Sequence, residues 1–256
     1  MLQRQAEQIA PRMKQILRTL FAGTSAVGIT GTLSPVVSVL SFVGEEAMDP
    51  VLNVWAKAIL AASGVRTQAQ GLENLPAGNF VLAVNHQSHF DALVLFAHIR
   101  RHMRFIAKMQ LRKIPVFGYA LARAGNVFVD RTGSEADRSK MKDSVRAVQE
   151  RVSIVFFAEG TRSKDGVLMP FKKGAAILAI EAGVPLVPAA LAGTHEILPS
   201  GKIAIHARPA ALVIGEPLST AGLTLDDREK LTEQAHASVA QCLAQAEQLV
   251  ARMKEA

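Results

Sequence analysis

His86 and Asp91 are the two side chains of this sequence best suited to moving a proton together. They stand in the segment Asn85-His86-Gln87-Ser88-His89-Phe90-Asp91, five positions apart. A carboxylate that accepts from one imidazole nitrogen fixes the tautomer and stabilises the imidazolium. The other ring nitrogen is then free to remove a proton. On a regular helix five residues amount to about 500°, or roughly 140° around the axis, so the pair would not share a face. They meet only if the chain turns between them. Residues 80–84 read as a buried strand ending at Asn85, and Ser88-His89-Phe90-Asp91 fits an [ST]-x-x-[DE] capping box ahead of the apolar run 92–99. Ser88 is then expected as the N-cap, Asp91 as the third helical residue, and His86 in the loop before the helix. A plainer reading is also open, in which Ser88 and Asp91 only cap a helix and His86 is a loop histidine.

A third member of a hydrolytic triad is missing. No G-x-S-x-G nucleophile elbow occurs, and the one cysteine, Cys242, sits in a long C-terminal helical stretch far from the pair. A lone cysteine also allows no intramolecular disulfide. The chemistry this leaves is general-base activation of a hydroxyl on the substrate itself, without a covalent enzyme intermediate. His98 and His102 form an i, i+4 pair, but no carboxylate or cysteine completes a ligand set, so no metal site is expected.

The elements that must hold such a pair alternate. Strand-like runs at 80–84, 103–107, 126–129, 153–157, 184–191 and 203–214 are separated by helical runs at 92–99, 135–151 and 173–182. A long charged helix follows over 225–253, and Gly183 stands where a helix C-cap needs a left-handed residue. This order predicts an α/β domain with a mixed, largely parallel central sheet flanked by helices. The one boundary lies after residue 64, giving a helical, membrane-associating segment at 1–64 and the α/β domain at 65–256.

That first segment carries no charge from residue 19 to residue 44. Twenty-six residues of helix would reach about 39 Å, against roughly 30 Å of bilayer hydrocarbon. Gly23, Gly28 and Gly31 interrupt the run, and Pro35 should kink or break it. A helical hairpin lying in or dipping into one leaflet is therefore expected. It would attach the chain to the cytoplasmic face of the inner membrane.

Composition agrees with contact to lipid. Hydrophobic residues make up 49% of the chain, and 29 Lys+Arg against 22 Asp+Glu leave a net charge of +7. Residues 100–146 hold twelve Lys/Arg and four Asp/Glu, more than the whole excess. Aromatics are only 5% and do not interleave this basic stretch, which argues against a single-strand nucleic-acid platform. The partners that suit it are an anionic membrane or a phosphorylated co-substrate.

The segment 85–91 resembles the N-H-x-S-x-x-D block of the glycerolipid acyltransferases, in particular the bacterial 1-acyl-sn-glycerol-3-phosphate acyltransferases. Three further blocks match in order. Lys108, Leu111, Pro115 and Gly118, then Gly125 and Asp130-Arg131, resemble the second. Phe157-Ala158-Glu159-Gly160-Thr161-Arg162-Ser163, followed by Phe171-Lys172-Lys173-Gly174, resembles the third, and Val184-Pro185-Leu186-Val187-Pro188 the fourth. The H-x4-D spacing is common, but four ordered blocks are specific to the family, and the resemblance covers about residues 50 to 215.

The resemblance implies a role at each position. His86 would deprotonate the free sn-2 hydroxyl of lysophosphatidate, which would attack an acyl thioester, and Asp91 would hold the histidine tautomer. Arg131 and Arg162, helped by Lys108, would bind the acceptor phosphate, since guanidinium forks suit phosphate oxygens. Glu159, Gly160 and Thr161 would shape the acceptor site. No cofactor is implied, only acyl-CoA or acyl-carrier protein as co-substrate. Glycerol-3-phosphate, another lysophospholipid or an acyl-aminoacid lipid are alternative acceptors, and a non-catalytic lipid-binding protein is the remaining alternative.

Overall fold

The computed structural model describes residues 2–113, 117–129, 135–150 and 152–256, without the side chains of 2–12, 108, 117, 120, 129 and 135–141. Among these residues one sheet has seven strands. They are β1 (Thr67–Gln70), β2 (Val81–Val84), β3 (Met103–Lys108), β4 (Val127–Val129), β5 (Ser153–Phe157), β6 (Leu186–Ala192) and β7 (Ala210–Ile214). Their order is β1-β7-β6-β2-β5-β3-β4. Strands β2 to β6 run parallel, β7 is antiparallel to β6, and β1 is parallel to β7. The expected mixed, largely parallel sheet is what forms.

Helices cover both faces. They are α1 (Leu2–Leu40), α2 (Asp49–Ala62), α3 (Phe90–His98), α4 (Met109–Arg112), α5 (Phe117–Arg123), α6 (Glu135–Glu150), α7 (Gly174–Ala182), α8 (Thr194–Ile197) and α9 (Arg228–Glu255). Side chains alternate across a strand, so Leu82 and Val84 of β2 join the cluster under α2 and α3, while Val81 and Ala83 join the one under α6 and α7. A strand buried on both faces reads as an unbroken apolar run, as 81–84 does. Because β5 and β6 flank β2 in parallel, their three carboxyl ends open side by side. In an open α/β sheet that edge is where ligands bind.

Three expectations are corrected. The chain does not break at Pro35, and α1 runs on to Leu40. A proline removes one backbone donor, and neighbouring helices can hold a helix through that loss. Here Ser34 and Val37, on either side of Pro35, are buried. The hairpin is instead made by α1 turning into α2. Secondly, of the run 203–214 only 210–214 is strand. Both backbone groups of Ile205 are taken by α1: Gln15 Nε2 donates to its carbonyl at 2.6 Å, and Thr19 Oγ1 accepts its N–H at 3.1 Å. Thirdly, β1 was not expected. It is short, polar and at the sheet edge, so no apolar alternation marks it.

Helix α1 is long and apolar enough over Met13–Leu40 to cross a membrane. Leu17, Leu20, Phe21, Val27, Val36 and Val39 lie exposed along it.

The turn between α1 and α2 is fastened to the sheet by Arg104 of β3, whose side chain is fully buried. Its Nη1 donates to Asp49 Oδ1 at 2.7 Å, and its Nη2 to the Glu45 carbonyl at 2.6 Å. Asp49, at the start of α2, also meets His102 Nδ1 at 2.8 Å. Arg101 donates to the carbonyls of Pro76, Ala77 and Gly78. Part of the basic stretch 100–146 thus serves the fold and is not offered to a partner. Replacing Asp49 by alanine leaves a buried guanidinium short of an acceptor. Asp49→Ala is expected to destabilise the protein by about 1.5–3 kcal/mol, read as a lower unfolding midpoint in detergent solution.

Candidate active site

Residues 85–91 leave the carboxyl end of β2 and turn into α3. Asn85 prolongs the strand with its side chain, for its Nδ2 donates to the Leu191 carbonyl at 2.9 Å and its Oδ1 accepts the Leu191 N–H at 2.8 Å. The amide therefore ties the start of the turn to β6. His86 follows, with its ring stacked on Phe157 at the end of β5, centroids 3.9 Å apart and planes at 20°.

His86 Nδ1 lies 2.7 Å from Asp91 Oδ2. Asp91 is fully buried, whereas the His86 side chain is 20% exposed. An ionised carboxylate only accepts, so the hydrogen sits on Nδ1 and Nε2 keeps its lone pair. The same Oδ2 accepts the backbone N–H of Gln87 at 2.7 Å and of Ser88 at 2.9 Å. These donors satisfy the lone pairs of a carboxylate that is removed from water.

The capping box forms in altered shape. Asp91 accepts the Ser88 N–H as expected, and Ser88 Oγ accepts the Phe90 N–H at 3.4 Å while donating its own hydrogen to the Leu198 carbonyl at 2.9 Å. Helix α3 begins at Phe90, with His89 in the N-cap position and no side-chain cap. The donation to a carbonyl 110 residues away is announced by no local pattern.

Glu159, just past β5, is buried and faces backbone. Its Oε1 accepts the His86 N–H at 2.6 Å and its Oε2 the Met169 N–H at 3.1 Å. Burial raises its pKa from the ordinary carboxylate value to about 7, against the opposing pull of those two amides. The Ser163 N–H adds a bond to the His86 carbonyl at 2.7 Å. Loop 158–172 therefore grips His86 by its backbone, and Asp91 grips it by its ring.

His86 opens on a cavity of about 550 Å³ that runs between α1, α2 and α3. Gly160, Thr161 and Arg162 line it beside His86, while Ala26, Trp55 and Phe96 are among its apolar walls. Gly160 takes a left-handed φ of 76°, which suits glycine. His89 is also at this rim, its pKa held below the usual value, first by partial burial and next by the charge of Arg162. From the second block, Leu111 lines the cavity, and Gly118 lets its backbone pass where a Cβ would meet the Arg112 carbonyl at 2.3 Å. Lys108 ends β3, its side chain outside the description, and Pro115, Asp130 and Arg131 lie outside the described residues. Among the described residues no cluster of three or more His, Cys, Asp or Glu could hold a metal.

Residues 66–192 match the model of the acyltransferase family. A chloroplastic 1-acyl-sn-glycerol-3-phosphate acyltransferase of Brassica napus is 35% identical over 237 residues, 88% of this chain and 68% of the relative. The chain belongs to the glycerolipid acyltransferase family. The 1-acyl-sn-glycerol-3-phosphate acyltransferase of Haemophilus influenzae is 31% identical over 66% of this chain and 70% of its own length. Against several plant and algal relatives the chain spans only 42% to 62% of their length. The crystal structure of the 1-acyl-sn-glycerophosphate acyltransferase from Thermotoga maritima superposes with a TM-score of 0.77, at 24% identity, over 90% of this chain and 96% of that one. This last likeness concerns the fold alone.

Two contacts of the site in this acyltransferase escape the sequence, the ring of Phe157 under His86 and the hydroxyl of Thr194 beyond Asp91. Phe157 stands in a matched block, but nothing in its spacing says that its ring carries the histidine. Thr194 follows the fourth block and has no local partner.

A raised carboxyl pKa has a signed consequence. Glu159 binds its proton more tightly folded than unfolded, so the stability it contributes falls as pH rises from about 4.5 through about 7. Glu159→Gln removes that titration. The stability of wild type is therefore expected to fall relative to that of Glu159→Gln from pH 5 to about pH 7 and to level off above it, measured by unfolding midpoints from pH 5 to pH 8.

Proposed function

We propose that the protein transfers a fatty acyl group from an acyl thioester to the sn-2 hydroxyl of 1-acyl-sn-glycerol-3-phosphate, giving phosphatidic acid. The observation that carries this reading is the His86–Asp91 contact at the mouth of an apolar cavity. Relatives that carry this activity in their names support the choice of acceptor. Nε2 of His86 takes the hydroxyl proton as the oxygen attacks the thioester carbonyl. Asp91 stabilises the imidazolium that forms. When the tetrahedral adduct collapses, the C–S bond breaks and the thiolate takes the proton from His86. The ester and the free thiol leave, and the histidine is neutral again.

Arg162, at the cavity rim with His86, is suited to the acceptor phosphate, with Lys108 and Arg131 as its partners. The apolar walls take acyl chain. The donor is acyl-CoA or acyl-carrier protein, and no cofactor enters the chemistry. Helix α1 attaches the enzyme to the cytoplasmic face of the inner membrane, its exposed apolar side in lipid, where acceptor and product both reside.

The test is turnover of lysophosphatidate by the full chain purified in detergent, with each donor in turn. His86→Ala is expected to lower kcat by roughly 10²–10⁴-fold. Arg162→Ala is expected to raise the acceptor KM by about tenfold or more, the loss of charge-assisted hydrogen bonds. Undiminished turnover by His86→Ala ends the general-base reading. Faster turnover of glycerol-3-phosphate, another lysophospholipid or an acyl-aminoacid lipid would move the acceptor assignment and leave the base in place.

A further inference from the structure

Asp91 has a donor that lies 103 residues along the chain. Thr194 Oγ1 stands 2.5 Å from Asp91 Oδ1, and both residues are fully buried. Oδ2 already takes His86, Gln87 and Ser88, so among the described residues Thr194 alone meets Oδ1. Gln87 Oε1 is a second acceptor for the same hydroxyl at 3.3 Å. A hydroxyl has a single hydrogen, and the nearer, ionised oxygen takes it.

The backbone is built to deliver this hydroxyl. Gly193, between β6 and α8, has a φ of 84°, and a Cβ there would lie 2.4 Å from the Pro209 carbonyl. Such a turn is open to glycine and closed to other residues. It aims Thr194 back along the carboxyl edge of the sheet toward α3. Thr194 does not line the cavity, so it touches no substrate and acts through Asp91.

We propose that Thr194 is a positioning residue that fixes the rotation and the ionised state of Asp91, and through it the readiness of His86 to accept a proton. The proposal rests on the general-base reading of His86. Without the hydroxyl, Oδ1 is a buried acceptor with no donor. The carboxylate, still facing the imidazole, then holds a proton more tightly. A more basic carboxylate also binds the imidazolium more strongly, so His86 gives up its own proton at higher pH. Both effects move the acid limb of the rate profile to higher pH. The other charged or titratable groups around the pair are His89, Glu159, Arg162, Asp165 and His195. None of them changes in a Thr194 variant, so the displacement reports the hydroxyl.

The experiment is the pH profile of kcat, with the acceptor KM, for the full chain in detergent carrying Thr194→Val, Thr194→Ser or Thr194→Ala. Valine keeps the shape of threonine and loses the hydroxyl. Serine keeps the hydroxyl and loses the methyl. Thr194→Val is expected to lose about 10- to 100-fold in kcat, with KM unchanged and the acid limb displaced upward. Thr194→Ser is expected to stay within about threefold of wild type, because it retains the charge-assisted bond. A packing role would reverse that order. Wild-type kcat in Thr194→Val, Thr194→Ser no better than Thr194→Val, or a loss confined to KM would each overturn the proposal. If the valine variant does not fold, Thr194→Ser against Thr194→Ala gives the same hydroxyl contrast. His86→Ala is measured alongside. If it stays active, the general-base reading fails. If it is inactive while Thr194→Val is unimpaired, only the role of Thr194 fails.

Discussion

An ionised carboxylate removed from water must be met by hydrogen-bond donors, and the site is arranged to meet that demand at Asp91. Its four donors come from the histidine ring, two successive backbone amides and a threonine hydroxyl on another element. Assembling them requires a tight turn after β2, the first residues of α3, and the end of β6 within a few ångströms of one another. Because β6 runs parallel beside β2, those ends meet at one edge. The parallel pairing of β2 and β6 and the glycine turn at 193 both serve that one buried charge. An unmet carboxylate would take up a proton and cease to orient the histidine.

The second constraint is that a polar reaction centre opens on an apolar space. His86 and Arg162 share a cavity whose walls come from α1, α2 and α3. Those first two helices are held on the sheet by the buried Arg104 and by the clasp of Gln15 and Thr19 on Ile205. One side of α1 therefore builds the cavity, while other positions along it expose large apolar side chains. A lipid acceptor with an acyl tail and a phosphate headgroup has both of its parts matched by such a site. The helix that would meet the membrane is also a wall of the chamber, so attachment and substrate capture share one element.

Much of this was legible in the residues. The spacing of His86 and Asp91 demanded a turn, the strand before it and the cap after it supplied one, and the alternating apolar runs foretold the sheet. Local patterns failed where distant partners compete. Ser88 looks like a simple N-cap, yet its hydroxyl, while accepting the Phe90 N–H, donates to distant Leu198. Residues 203–208 look like strand, yet α1 takes the backbone groups of Ile205. Pro35 looks like a helix end, yet buried neighbours carry the helix through it. The carboxylate of Glu159 faces the amides of His86 and Met169, a pairing with loop backbone that no local pattern announces. Thr194 carried no signal, because a threonine after a buried strand has no pattern until the fold shows what it faces.

The central claim is that the acceptor hydroxyl, activated by His86, attacks the thioester directly. The most direct measurement is intact-protein mass spectrometry after rapid mixing with an acyl thioester, with acceptor withheld. The account predicts unmodified protein at every time point, and consumption of thioester only after acceptor is added. A stoichiometric, acceptor-dischargeable acyl adduct on the protein would contradict it.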